Sequence, residues 1–264
     1  MSLKYKILSF LDRIKFKYLL LCILLLIVAF FKIDYNYIKY NTTPREITNY
    51  DFNVRDSLEK INLLEQEYPE CVLKNNVTRE TWYVMNDEHT TDGKFWEMYE
   101  KIEPHGFVNV EHTHPYQLEK VSVVYGEVCL TIDNIKYTIS KGQTINVPAG
   151  ISHGLENPHN KPVLMRVEYY PALTNMTNFF QSLSSLSQNN KLWFSGITAP
   201  LETISIWNNF KGLSGFKYFP EIGQSIFYNI GKFAIENLFP DYDFSDYSDT
   251  KCIPSNLPWN KDKN

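Results

Sequence analysis

The chain has 264 residues, with 26 lysines and arginines against 30 aspartates and glutamates and a formal net charge of −4. That length supports one modest core with appended segments, and a slightly acidic chain without a basic stripe excludes nucleic acid as a partner. The 4 cysteines stand at no framework spacing, and the chain has no Cys-x-x-Cys pair, nucleophile elbow or phosphate-binding glycine loop.

From the N-terminus, residues 1–15 form a basic segment with Lys4, Lys6, Arg13 and Lys15, and Tyr18 to Phe31 is uncharged and almost entirely Leu, Ile, Val and Phe. Taken from Phe16 to Ile33, with Lys17 and Lys32 able to snorkel, the run spans roughly 27 Å as a helix, close to a thin bilayer. We read residues 16–33 as a transmembrane anchor. A cleaved signal peptide is the alternative, disfavoured because the apolar core is long and Ala29 is followed by Phe30 and Phe31. A buried core helix fits less well, since a small barrel has little use for a helix that is apolar all round. Cations precede the run, whereas Lys32, Lys39 and Arg45 after it are mixed with Asp34 and Glu46. The expectation is a single-pass protein with a cytosolic N-terminus and a lumenal or extracellular domain. Sequons at Asn41, Asn76 and Asn175 agree with that topology in a eukaryotic host.

Residues 34–75 read as a linker holding one helix, Asp56 to Tyr68. Asp56 and Glu59 would form a capping box, Leu58, Ile61 and Leu64 an apolar stripe, and Pro69 the stop. Cys71 and Cys252 are open to two readings, a disulfide in an oxidising compartment or two free thiols.

Strand patterning follows. Side chains alternate along a strand, so His112 and His114 aim two imidazoles the same way. Pro115 to Leu118 is a turn, after which Glu119 opens a strand and shares a face with Val121, Val123 and Tyr125. Val128–Ile132 and Ile135–Ile139 form a hairpin on Asp133 and Asn134. Gln143–Val147 is a further strand, and the reversal at Pro148, Ala149 and Gly150 delivers His153. Val163–Tyr169 is the last. Arg166 and Glu168 share one of its faces, and Val163, Met165 and Val167 the other. If Arg166 faces inward it can fix an anionic substrate; if not, it is solvated.

Gly106-x5-His112-x-His114-x4-Glu119-x6-Gly126 and Gly142-x5-Pro148-x-Gly150-x2-His153-x3-Asn157 together resemble the two motifs of the cupin superfamily. The resemblance implies a small antiparallel jelly-roll barrel over 76–172, with His112, His114, Glu119 and His153 as metal ligands and the glycines, Pro148 and Asn157 as turn residues. Three imidazoles and a carboxylate suit a divalent transition metal, Fe(II), Mn(II), Ni(II), Cu(II) or Zn(II), and suit calcium poorly. Four protein ligands on an octahedral ion leave two positions for water, dioxygen or a chelating substrate. Val121, Val123, Tyr125, Val128, Leu130 and Ile132 would form an apolar wall. One functional reading is a metal-dependent enzyme of oxygenase type acting on a small organic substrate, with isomerase or lyase chemistry also open. The alternatives are a non-catalytic metal- or ligand-binding sensor module and a structural part of a membrane complex. His89, His105 and His159 read as solvated loop residues, Glu111 as pointing away from the interior, and Cys129 as a small buried hydrophobe. No internal repeat is present, which excludes a two-barrel form.

After Pro171 the period becomes helical. Met176, Phe179, Phe180, Leu183 and Leu186 form one stripe, Leu201 to Phe210 a second and Ile222 to Leu238 a third. This extension, residues 173–240, can cover the barrel, cap its mouth, rest on the membrane or join a second subunit as a homodimer. Residues 241–264 read as a flexible acidic tail. The expected architecture is an all-β core, a jelly-roll barrel with flanking α-helices and one N-terminal transmembrane helix.

Overall fold

The computed structural model describes residues 45–51, 53–189, 215–216, 229 and 251–263. The expected anchor at 16–33, the second and third helical stripes and the acidic run 241–249 lie outside the described residues. Among the described residues no helix is long and apolar enough to cross a membrane.

The strands are β1 Ile47–Asn49, β2 Val72–Asn75, β3 Glu80–Asn86, β4 Trp96–Ile102, β5 Phe107–Thr113, β6 Leu118–Tyr125, β7 Glu127–Ile132, β8 Ile135–Ser140, β9 Gln143–Val147, β10 His153–Glu156, β11 Val163–Tyr170 and β12 Gly215–Phe216. They form two antiparallel sheets. One has the order β1-β9-β6-β11-β4-β3-β2 and the other β12-β5-β10-β7-β8. Val84, Met98, Val121, Val123, Met165 and Val167 from the first, with Val128, Leu130, Ile132 and Leu155 from the second, are buried in one continuous core. Burial of such side chains stabilises a jelly-roll sandwich by roughly 1.5–3 kcal/mol each. The sheets extend beyond the expected barrel bounds: β1 and β2 arise in the segment read as linker, and each takes an edge of the larger sheet.

Local chemistry accounts for much of this. At the β7–β8 hairpin Asp133 and Asn134 both have positive φ, 49° and 67°, the geometry a two-residue turn needs and one that Asp and Asn tolerate. Alternation along β7 buries Val128, Leu130 and Ile132 and turns Cys129 outward. The expected burial of Cys129 is therefore corrected. A register shift between Leu164 and Met165 pairs Tyr125 with Leu164 but Val123 with Met165. The bulge re-aims the end of β6, so Tyr125 is 39% exposed and does not join the apolar wall. Gly106 is required by space: a Cβ there would lie 2.7 Å from Ile102 Cγ2 and 2.9 Å from the Thr78 carbonyl oxygen. Asn157, buried, donates through Nδ2 to the carbonyls of Ile102, Glu103 and Lys161, closing that end of the barrel.

Helix α1, Val54–Glu67, begins two residues before the expected start, because Asn53 rather than Asp56 caps it by accepting from the Asp56 amide at 3.2 Å. Its inward stripe is Ser57, Ile61 and Leu64, whereas Leu58 is 44% exposed. Ser57 Oγ lies 2.7 Å from the Tyr99 hydroxyl, a polar contact to the core that an apolar stripe does not reveal.

Helix α2, Met176–Gln188, buries Met176, Phe180 and Leu186 as expected, and also Ser182, Ser184 and Ser187. The serines cover the free edge of β2. The amides of Lys74 and Asn76 donate to the hydroxyls of Ser184 and Ser187, and Ser184 Oγ donates to the Lys74 carbonyl. Phe180 sits on Trp82, Trp96 and Tyr169, with ring centroids at 5.1, 4.9 and 6.4 Å. This helix covers the β2 edge of the barrel.

The reading of a flexible tail is corrected over 251–263. Cys252 is disulfide-bonded to Cys71, Leu257 and Asn260 are fully buried, and Trp259 Nε1 and Asn260 Nδ2 both donate to the Met85 carbonyl. The register of β3 slips between Val84 and Asn86. That bulge withdraws Met85 from its ladder, and the tail satisfies the carbonyl left over.

Candidate metal centre

Four side chains from three strands and a turn converge at one end of the barrel. β5 carries His112 and sets it opposite His153 of β10. Glu119 stands on β6 opposite Val147 of β9 and Tyr169 of β11. His114 lies one residue past β5. Its carbonyl accepts from the Gly150 amide at 2.8 Å, tying the turn before His153 to the turn before Glu119. Gly150 has φ 76°, a conformation costly for residues with a Cβ.

The donor atoms of His112, His114, Glu119 and His153 all lie within 4.8 Å of one another. His112 Nε2 is 3.2 Å from His114 Nε2, His114 Nε2 3.2 Å from Glu119 Oε2, and His153 Nε2 2.7 Å from the same oxygen. Ligand bonds of about 2.0–2.2 Å place opposite donors roughly 4–4.4 Å apart, so the cluster needs little contraction to close on an ion. Exposures of 1% for His153, 3% for Glu119 and 6% for His114 leave half-buried His112 as the accessible member.

The hydrogen-bonding pattern tests the fit. His153 Nδ1 stands 2.9 Å from the Ile151 carbonyl, which can only accept, so Nδ1 carries the hydrogen and the Nε2 lone pair aims at Glu119 Oε2. Two buried acceptors 2.7 Å apart require a cation: a proton on Nε2 or a metal ion between them. In the protein without metal a proton takes that role. Burial alone would raise Glu119, but the His153 and His114 imidazoles hold it well below the usual carboxylate range. Burial alone would lower His153, but Glu119 outweighs it and raises the imidazole. The four residues can hold a metal ion, and a backbone carbonyl orients the ring of His153 among them.

Around the ligands stand residues that no motif pointed to. Tyr169 is buried, with its ring 4.9 Å from that of His114. Burial, then the charges of Glu119, Glu100 and Glu80, raise its hydroxyl well above the usual phenol range, so it stays a donor. Gln117 Nε2 donates to the Pro171 carbonyl at 2.8 Å and meets Met176 Sδ, joining the ligand loop to α2. β12 pairs Gly215 with Thr113 and Phe216 with His112, so these two residues lie beside the strand that carries His112. Only the cross-strand register could have revealed these neighbours.

The choice left open for β11 is decided. Val163, Met165 and Val167 are fully buried on the inner side, and Arg166 faces the outer side of the sheet. It is not merely solvated, since it bonds Glu97 at 2.6 Å, Glu168 at 3.1 Å and the Tyr50 hydroxyl at 3.1 Å. It ties β11 to β4 through Glu97 and to the segment before α1 through the Tyr50 hydroxyl. His89 is exposed, His105 meets Asn160, and His159 pairs with Glu127 at the surface, as expected of loop residues. Glu111 stands outside the four-donor group.

Residues 98–168 match the family model described as Cupin domain. The chain is 33% identical over 72 residues to an uncharacterized protein of Methanocaldococcus jannaschii, covering 27% of this chain and 58% of the relative, so it spans little more than half of that relative's length. Among solved structures, a sugar phosphate isomerase from a cupin superfamily of Silicibacter pomeroyi aligns at 20% identity and TM-score 0.33, covering 37% of this chain and 64% of that one. A predicted oxalate decarboxylase of Thermotoga maritima aligns at 18% identity and TM-score 0.34, covering 35% and 80%.

Proposed function

We propose that this chain, whose residues 98–168 match the Cupin domain model, is a metal-dependent enzyme of oxygenase type acting on a small organic substrate at His112, His114, Glu119 and His153. The observation that carries the reading is the approach of four donor atoms, three of the residues nearly inaccessible, to within 4.8 Å. His112, His114, Glu119 and His153 would hold a divalent ion, which would supply Lewis acidity towards a carboxylate or enediol substrate and towards dioxygen. Glu119 supplies the one negative charge among the donors, and the Ile151 carbonyl fixes the ring of His153. Tyr169 holds a proton beside the ligands. Val121, Val123, Val128, Leu130 and Ile132 exclude water from the inner wall, which strengthens each polar contact inside it. The half-buried side of His112 is the route of entry.

The same proposal tethers the domain by residues 16–33 in a lumenal or extracellular compartment. The disulfide Cys71–Cys252 supports this, since such bonds persist where thiols oxidise.

The test uses the full chain in mild detergent. Metal analysis after reconstitution is expected to give one ion per chain in the wild type and none in Glu119→Gln or His153→Ala. Oxygen uptake is then followed against catechols, diketones and flavonoid-like compounds with Fe(II), Mn(II), Ni(II) and Cu(II). Stoichiometric metal without turnover would replace the enzyme by a binding module; no metal in the wild type would refute both.

A further inference from the structure

The four ligands are not held alike. His112 on β5 and His153 on β10 are cross-strand partners. His114 lies one residue beyond β5 and Glu119 is the second residue of β6, so the turn between the strands sets their separation. Pro115 in that turn has no amide to give to a ladder. A turn of this kind holds two ligands in place only when contacts outside the sheet fix it.

Those contacts come from α2. Gln117, within the turn and fully buried, donates through Nε2 to the Pro171 carbonyl at 2.8 Å and lies 3.0 Å from Met176 Sδ at the start of the helix. Its Oε1 is buried with no partner among the described residues. An unpaired buried acceptor costs about 1–3 kcal/mol, so packing alone does not favour glutamine there. An apolar side chain of similar length would fill the space without that cost.

A second path reaches the same pair of ligands. The Trp96 indole donates to Thr177 Oγ1 at 3.0 Å and stacks on Phe180 with ring centroids 4.9 Å apart. Tyr169 packs against both Trp96 and His114, with centroids at 5.9 and 4.9 Å, and is the cross-strand partner of Glu119. Met176, Thr177 and Phe180 all belong to the N-terminal half of α2, whereas Ser184 and Ser187 in the other half bind the β2 edge. Both paths thus run from one end of the helix to the two ligands that flank the turn. The helix itself lies beyond residues 98–168, which match the family model.

We infer that Gln117 and the first turns of α2 position His114 and Glu119 for the metal, so that docking of the helix and binding of the ion reinforce each other. The inference rests on the metal-binding reading above. Gln117 is a positioning residue: it acts through the turn. Such coupling is reciprocal, and what the helix adds to metal affinity the bound ion returns to the docking of the helix.

Titration of the full chain in detergent with Co(II) alone, followed by visible absorption, reports affinity and ligand geometry together. Gln117→Met keeps the length and bulk of the side chain and removes the bond to Pro171. Its dissociation constant is expected to rise about tenfold or more, as when outer partners of metal ligands are lost, with a changed spectrum. Ser184→Ala, which loosens the other end of α2 from β2, is the control. It should lower the melting temperature without metal and leave Co(II) binding as in the wild type. Unchanged Co(II) binding in Gln117→Met refutes the positioning role, and so does equal weakening in Ser184→Ala, which would make the effect one of general stability. Hydrogen exchange of the wild type needs no variant to fold: Co(II) should slow the amides of residues 176–181 more than those of α1. Equal slowing in the two helices refutes the coupling. Failure of the wild type to bind Co(II) refutes the metal reading and the inference with it.

Discussion

The C-terminal tail is held by a covalent bond that closes almost the whole described fold, and its removal has a calculable effect. Cys71 and Cys252 are 181 residues apart in sequence. Constraining a loop of that length lowers the entropy of the unfolded chain enough to stabilise the native state by about 5 kcal/mol. For a domain of this size each kcal/mol moves the melting temperature by roughly 2–4 °C. Replacing both cysteines by serine should therefore lower it by about 10–20 °C, with a further loss because each serine hydroxyl would occupy a site 1% exposed. Differential scanning calorimetry of the full chain in detergent measures this, with the wild type in strong reductant as a control expected to approach the double variant. Metal stoichiometry at low temperature should not change, since neither cysteine touches the four ligands. A fall of less than about 3 °C would refute the reasoning, for it would mean that the unfolded chain is already constrained or that the bond does not form.

Phe180→Ala should cost about 3–5 kcal/mol, as the ring fills the space among Trp82, Trp96 and Tyr169, and chemical denaturation reads this directly. Gly106→Ala should destabilise by about 1–3 kcal/mol by the same assay, because its Cβ meets a backbone carbonyl at 2.9 Å. Glu100→Gln should gain stability relative to wild type as pH rises. Burial raises the folded acid above the ordinary value of 4.5, so the native state keeps a proton that the unfolded chain releases, and wild-type stability falls from about pH 4.5 upward until the folded acid ionises. Melting temperatures across that range should diverge, and parallel curves would show that Glu100 does not carry the proton.

Local spacing alone determined the centre of this protein. The alternation of His112 and His114, the turn before Glu119 and the reversal before His153 are short-range features, and a β-strand's period of two makes them legible in sequence. The Asp133–Asn134 hairpin was readable for the same reason, because positive φ restricts which residues can stand there. Whatever depends on pairing between distant segments was decided only by the tertiary structure. Strand β11 is buried on both faces, so its pattern could not say whether Arg166 or Val167 faced the core; the register against β4 and β6 decided it. The apolar stripe of α2 was legible, but its buried serines were not, because hydroxyls suit water as well as a strand edge. The docking of Asn260 depends on a carbonyl freed by a bulge at Met85, 175 residues away. Glu80 and Glu100 share the Trp82 indole for the same physical reason: cross-strand neighbours are set by register, and register is a property of the folded sheet rather than of either strand.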